Sequence, residues 1–417
     1  MCRITPNMDD ASVMTMAGNT NLGAAKAAKN DEFYTQWNDI ENEMQAYLAY
    51  DPDVFRGKVV LLPCDDPGAS NFTKYFALNF ERFGLKKLIS TSYAPASNPA
   101  VTAKGQTLLN FELGEDQDEK FNEDDTWYRG RIYVLEQGSD LNDDGKLNKE
   151  DLRWDYLQGD GDFRSEEVTK LRDEADIVIT NPPFSLFREF LAWLVKGHLK
   201  FSIIGNSNAI TYKEVFPPIR DNEMWLGATG NTTDMVFRVP EGTEVKESDK
   251  AKAARLGYPS TATETYTRLG NSCWFTNIEH GRRHEPLVLM TMEDNLIYGS
   301  KRVQSIGYPK YGNYDAVEVP ETKAIPSDYD GVMGVPISFL DKYSPEQFEI
   351  VGRDGDLDLA VDYPFFTPPP KEEQMAHRKR NVTWRVQNCY LLDEEGVAHT
   401  IYKRIFIRHR RPEAKES

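Results

Sequence analysis

Four cysteines in 417 residues (Cys2, Cys64, Cys273 and Cys389), scattered and without a CxxC pair, argue against a disulfide scaffold and a zinc cage and suit the reducing cytoplasm. No run of about 18 apolar residues occurs, so nothing here is built to span a bilayer and no membrane partner is expected. The opening MCRITPNMDD carries acids where an export signal would carry a basic flank and an apolar run. The six histidines form no metal-ligand or catalytic-triad pattern, and no internal repeat is visible.

What is present is a globular composition, 40% apolar and 12% aromatic, long enough for two or three domains. The net charge of −18 alone disfavours a polyanionic partner. The charge is uneven, however. Residues 112–176 hold 22 acids against 9 bases, while residues 371–417 hold 7 acids against 11 bases. The acidity belongs to one segment, and the C-terminal segment is basic.

Residues 1–29 read as a mobile tail. The spacing of Trp37, Ile40, Met44, Tyr47 and Leu48 predicts an amphipathic helix. Val59 to Leu62 predict a buried strand, Asn71 to Phe83 a helix ending near Gly84, and LKKLISTSY a second strand. This alternation opens a doubly wound α/β sheet. An acidic stretch at about 95–157, with a hairpin around WYRGRIYVLE, interrupts it. The rhythm resumes with the strand ADIVIT, the turn NPPF, the helix SLFREFLAWLV and the strand KFSIIGN, and further strands are expected in 223–240 and 271–277. Residues 30–295 thus form an α/β unit, and 296–417, rich in Tyr, Pro and Gly, a smaller irregular region.

The sharpest signal is Asn181-Pro182-Pro183-Phe184, directly after a buried strand, where ligands bind in open α/β sheets. An exocyclic amine on an aromatic base is a poor nucleophile because its lone pair is delocalised into the ring. The Asn181 side-chain oxygen and the Pro182 carbonyl can both accept hydrogen bonds from such an amine and free the lone pair. Consecutive prolines fix the turn, and Phe184 offers a stacking face. A duplex base must be flipped out to reach such a site. The bland alternative is a helix-start turn with Asn181 as N-cap.

Weaker signals surround it. Asp65 and Asp66, after the first strand, can bind an ammonium group or merely cap a turn; without a GxG the loop is no phosphate cradle. In GDGDF, Asp162 can accept from an adenine amino group and Phe163 can pack on its ring, or the segment is a plain turn. Phe33 and Tyr34 precede Thr35, itself a candidate N-cap. Asp140, Asn142, Asp144, Gly145 and Asp151 match the spacing of an EF-hand-type calcium loop, or a solvated acidic loop. Arg378, Lys379 and Arg380, with Lys403, Arg404, Arg408, Arg410 and Arg411, suit a phosphate backbone or a solvated basic face.

Together DEFYTQ, CDDPGASNF, GLKKLI, GDGDFRS, DIVITNPPFSLF, ITYKEVF, CWFTN, YPKYGNYDAVEV and YDGVMGVPISFL, from about Asp31 to about Phe348, resemble the EcoRI-type adenine-specific DNA methyltransferases. The resemblance implies a Rossmann-like S-adenosylmethionine-dependent methyltransferase sheet at 30–295 and a target-recognition, DNA-binding region at 296–417. It implies methylation of adenine N6 in a short sequence of double-stranded DNA, by base flipping and direct displacement without a metal. Asn181 to Phe184 would form the target-adenine pocket. Asp162 and Phe163 would hold the cofactor adenine, and Asp65 and Asp66, with Phe33 and Tyr34, its methionine end. Trp274 and Phe275 would line the flipped-base side, and Arg378, Lys379 and Arg380 would face DNA. Calcium, if bound, would be structural. A cognate restriction endonuclease is an expected partner, unless the enzyme is solitary. No acid closes LISTSY, where many methyltransferases hold the cofactor ribose, and the last 60 or so residues match poorly. The alternatives are a methyltransferase for an RNA base or a protein amide, and a non-catalytic DNA- or calcium-binding module.

Overall fold

The computed structural model describes residues 33–65, 70–97, 119–141, 143–229, 234–239, 242–354, 389–393, 398–401 and 403–410. The tail expected at 1–29 lies outside them. The first helix, α1 (Trp37–Tyr50), buries Ile40, Glu43, Met44 and Tyr47, the i, i+3, i+4, i+7 stripe of an amphipathic helix. Its N-cap is Gln36, without a side-chain bond, so Thr35 does not cap it. Thr35 lies instead in the short strand β1 (Tyr34–Thr35).

The main sheet draws on β2 (Val59–Pro63), β3 (Lys87–Thr91), β4 (Arg131–Glu136), β5 (Arg153–Tyr156), β6 (Ile177–Thr180), β7 (Lys200–Asn206) and β8 (Trp225–Leu226). β9 (Met235–Val239), β10 (Thr265–Leu269) and β11 (Ser272–Thr276) follow in the chain. The sheet order is β5-β4-β3-β2-β6-β7-β11-β8. The central β3, β2, β6 and β7 run parallel, and β4, β11 and their outer neighbours pair antiparallel. Every residue of β2 and β6 is buried, as expected for parallel strands covered on both faces. Alternation sorts their side chains. Leu61 and Val178 face one core, with helix α4 (Phe187–Lys196) on it, and Val60, Leu62, Ile177 and Ile179 face the other, with α1 and α2 (Asn71–Leu78). A further helix, α3 (Glu166–Glu174), is capped by Ser165 and precedes β6.

Two expectations shift. The helix expected over Asn71–Phe83 breaks at Asn79, whose side chain turns back to the Tyr75 carbonyl at 2.9 Å, and a second turn follows at Phe80–Phe83 before the left-handed Gly84. The acidic stretch, of which 98–118 lie outside the described residues, contributes β4 and β5, the strands beyond β3 in the main sheet. A separate sheet pairs β1 with β9 and β9 with β10.

Within 296–417, expected to be irregular, a four-stranded sheet joins β12 (Ala316–Glu318), β13 (Val332–Pro336), β14 (Phe348–Arg353) and β17 (Arg404–His409), and β15 (Tyr390–Leu392) pairs with β16 (Ala398–Thr400). Val317, Val335, Phe348 and Ile405 belong to the same buried cluster as Phe201 and Phe275 of the main sheet, so the core is continuous. Arg404, read from sequence as part of a phosphate-facing patch, is buried instead. Its guanidinium meets Glu318 at 2.6 Å and 3.0 Å, and Tyr311 donates to the same carboxylate. Removing one partner strands the other charge. Arg404→Met is expected to cost about 3–5 kcal/mol in urea unfolding, with Glu318→Leu added to it recovering much of the loss. A single-variant cost under about 1 kcal/mol would contradict a stabilising pair.

Candidate active site at the carboxyl ends of two central strands

The chain leaves β2 for β3 on one side of the sheet and β6 for β7 on the other. The order therefore reverses between β2 and β6, and a crevice opens beyond their carboxyl ends. One hydroxyl ties these ends together. Thr180 Oγ1, the last residue of β6, lies 2.6 Å from the Pro63 carbonyl and 2.6 Å from Asp65 Oδ2. Ser70, the N-cap of α2, donates to Asp65 Oδ1 at 2.7 Å. The Asp65 amide bonds Thr91 O at 2.9 Å, at the end of β3. The chain turns at Cys64 with φ 67°, a conformation unusual outside glycine, and Asp65 is 5% exposed.

Asn181 follows Thr180. It caps no helix: the next turn, Phe184–Leu186, has Pro183 at its N-cap, and α4 has Leu186. The helix-cap alternative therefore falls. The Asn181 amide nitrogen instead donates to the Phe33 carbonyl at 2.7 Å, across 148 residues of sequence. The reverse placement of the amide would set oxygen against oxygen, so Phe33 decides its orientation. The other end, Asn181 Oδ1, is buried and has no hydrogen-bond partner among the described residues. Such an acceptor is costly unless something binds it. The Phe33 ring stacks on Phe184 with centroids 5.5 Å apart and planes at 28°, and Phe237 of β9 meets Phe33 edge-on at 5.8 Å.

The profile of the family described as "Adenine-specific methyltransferase EcoRI" matches residues 21–410. The type II methyltransferase M.EcoRI of Escherichia coli is 41% identical over 360 residues, covering 84% of this chain and 95% of that protein. The type II methyltransferase M.MpnI of Mycoplasma pneumoniae is 32% identical over 327 residues, 78% of this chain and 83% of that one. The chain belongs to the EcoRI family of adenine-specific methyltransferases. The match runs to residue 410, past the point where the sequence motifs fade. No solved structure matches.

The other residues singled out in this methyltransferase fall into three groups. Tyr34 sits beside the site, with the Arg238 guanidinium 5.0 Å from its ring centre. Asp162, Phe163, Trp274 and Phe275 are engaged by the fold. Burial pushes the Asp162 carboxyl up, but the Arg164 guanidinium at 2.6 Å holds it below the usual range. Phe163 is 3% exposed and packs edge-on against Phe190 and Trp193. Trp274 and Phe275 lie in the sheet interior on β11, 1% and 0% exposed, against Phe72 and Phe187. Both are core residues: Trp274 belongs to the same buried cluster as Phe184, and Phe275 to the cluster on the opposite face of the sheet. Asp66, Asn142, Arg378, Lys379 and Arg380 lie outside the described residues.

The calcium expectation gains no support. Among the described residues no group of three His, Cys, Asp or Glu side chains is placed to hold a metal. The loop carboxylates serve its own backbone. Asp140 accepts from Gly145 N at 2.8 Å, Asp144 from Lys146 N at 2.8 Å, and buried Asp151 from Leu141 N and Asn148 N.

Sequence reading missed Thr180, Ser70, Phe237 and Glu43. Thr180 is the strand residue before the motif, and its polarity within an otherwise apolar IVIT was the available signal. Glu43, fully buried in α1, accepts from the amides of Ala228 and Thr229 and from Tyr47, and so holds the turn between β8 and β9. Thr180→Val keeps the shape and deletes the hydroxyl that faces two buried acceptors. It is expected to cost about 1–3 kcal/mol in urea unfolding and to lower methyl transfer. Unchanged stability with full activity would remove Thr180 from the account.

Proposed function

We propose that this adenine-specific methyltransferase transfers a methyl group from S-adenosylmethionine to N6 of a flipped adenine in a short sequence of duplex DNA. The observation that carries this reading is the buried, unpartnered Asn181 Oδ1 at the crevice of the sheet. An N6 amine has two hydrogens and needs acceptors, and Asn181 Oδ1 and the Pro182 carbonyl supply them. Drawing the hydrogens toward these oxygens moves the nitrogen lone pair out of conjugation. Phe184 stacks one ring face on Phe33 and would offer its other face to the base. Flipping costs a few kcal/mol of unstacking, which the pocket must offset.

The crevice suits the methyl donor, and the fold reads as the Rossmann-like sheet of S-adenosylmethionine-dependent enzymes. A ligand lying across the ends of β3, β2 and β6 presents one end to Asn181. When bound, it would supply a methyl on a positively charged sulfur: the bond from N6 to the methyl carbon forms as the carbon–sulfur bond breaks, a neutral thioether leaves, and N6 gives up one proton to solvent. Phe33, Tyr34, Asp65 and Asp66 would hold its methionine end, and Asp162 and Phe163 would flank its adenine. Asp65 does so while its carboxylate also accepts from Ser70 and Thr180, so its role is to shape the turn as much as to bind. Residues 296–417, with Arg378, Lys379 and Arg380, would read the DNA. The type II names of the relatives make a cognate endonuclease a reasonable partner, and the cytoplasm the place of action.

Purified protein is to be incubated with S-adenosylmethionine and unmethylated duplex DNA, and the nucleosides read by mass spectrometry. N6-methyladenine is expected; methylation elsewhere, or none from protein that binds the cofactor, would overturn the reading. Asn181→Ala is expected to lower kcat by about 10²–10³ while the Kd for S-adenosylhomocysteine stays within about threefold. Turnover within twofold of the wild type would sink the acceptor role.

A further inference from the structure

The strand β3 ends in Ser90-Thr91 and runs on into Ser92-Tyr93, with no acid of its own to hold the hydroxyls of a nucleoside ribose. In doubly wound sheets that bind nucleosides, a carboxylate near the end of the second strand takes that role. The structure brings one there from elsewhere in the chain. The Gly159–Asp162 loop follows β5 and is pressed onto the end of β3. Ala94 N donates to Asp160 O at 2.7 Å, and Gly130 N donates to Gly159 O at 2.9 Å. The contact tolerates no side chain at Gly161. Its φ is +83°, and a Cβ there would stand 2.2 Å from Ser92 O. Gly130 is also close-packed, a Cβ there falling 2.7 Å from the same oxygen. Two glycines thus set the height at which the loop rests on β3.

Of the loop's two acids, Asp162 is committed to Arg164, which reaches on to Glu189 at 2.9 Å. Asp160 makes no ion pair among the described residues. Its Oδ1 accepts from Asp162 N at 3.1 Å, and Tyr93, just past the end of β3, donates its hydroxyl to the carboxylate. Burial, reinforced by the Asp160 and Asp162 charges, pushes the Tyr93 phenol up to about 12, so it remains a donor. A carboxylate has about four acceptor positions, so these two donors leave room for a vicinal diol. Strands lie about 4.8 Å apart, so the ends of β3 and β6, with β2 between them, are about 10 Å apart. A methyl donor with its sulfur toward Asn181 therefore has its sugar near the end of β3.

We propose that Asp160 is the ribose-binding carboxylate of this enzyme, delivered by the loop after β5 and positioned by Tyr93, Gly130 and Gly161. The proposal rests on S-adenosylmethionine being the methyl donor. Its test is a binding cycle by calorimetry, with S-adenosylhomocysteine and its 2′-deoxy analogue against wild type, Asp160→Ala, Asp160→Asn and Asp162→Asn. Wild type is expected to bind the deoxy analogue about tenfold or more weakly. Asp160→Ala is expected to bind both ligands with Kd values within twofold of each other. Asp160→Asn, which keeps an acceptor for Asp162 N, should fall between, and Asp162→Asn should keep the wild-type ratio. Full discrimination in folded Asp160→Ala and Asp160→Asn, checked by unchanged Tm, would overturn the assignment. Loss of discrimination in Asp162→Asn alone would also overturn it. No binding of S-adenosylhomocysteine to wild type would instead overturn the methyl-donor reading on which it stands.

Discussion

The site depends on one buried hydroxyl. Thr180 Oγ1 sits between the Pro63 carbonyl and the Asp65 carboxylate, and so holds the ends of β2 and β6 at a fixed separation where the strand order reverses. A crevice at such a reversal is a consequence of topology, but its shape is not. Here it is set by Thr180 from one strand, Asp65 from the turn after the other, and Ser70 from the helix that follows. Each hydroxyl satisfies an acceptor that would otherwise be stranded in a place 5% exposed to solvent.

The same constraint orients the Asn181 amide. Asn181 has one donor end and one acceptor end. The donor end goes to the carbonyl of Phe33, the residue just before β1, and β1 pairs with β9. Glu43 in turn fixes the turn that leads toward β9. The acceptor end is left buried and without a hydrogen-bond partner among the described residues. Fixing an acceptor before substrate arrives avoids reorganisation cost at the moment of reaction. The ring of Phe33 adds a contact to the face of Phe184. An N-terminal segment far away in sequence therefore completes a motif that looks self-contained when read as four letters.

How much of this the sequence discloses follows from the range of each interaction. Val59 to Leu62 and ADIVIT were legible because strands buried on both faces are continuous apolar runs, and the NPPF turn was legible because it directly follows one. The reversal of strand order was implied by helix and strand alternation. What stayed hidden was the partner of each polar group: nothing near Asn181 announces Phe33, and nothing near Asp65 announces Thr180. Trp274 and Phe275 sit on a buried antiparallel strand, which asks for large apolar residues just as a base pocket does, so their residue types alone do not separate the two roles. The acids of 140–151 had the spacing of a cation loop, yet tight turns use the same side chains to accept from their own amides. Arg404 looked like surface charge because its partner Glu318 lies 86 residues away.

The most direct test of the central claim is a crystal structure of the protein with S-adenosylhomocysteine and a duplex carrying its methylation site. The account predicts an extrahelical adenine stacked on Phe184. Its N6 should lie within about 3.2 Å of Asn181 Oδ1, with the Asn181 nitrogen still bonded to the Phe33 carbonyl. An adenine bound with N6 facing another acceptor, or an Asn181 amide turned so that its oxygen leaves the base, would contradict it.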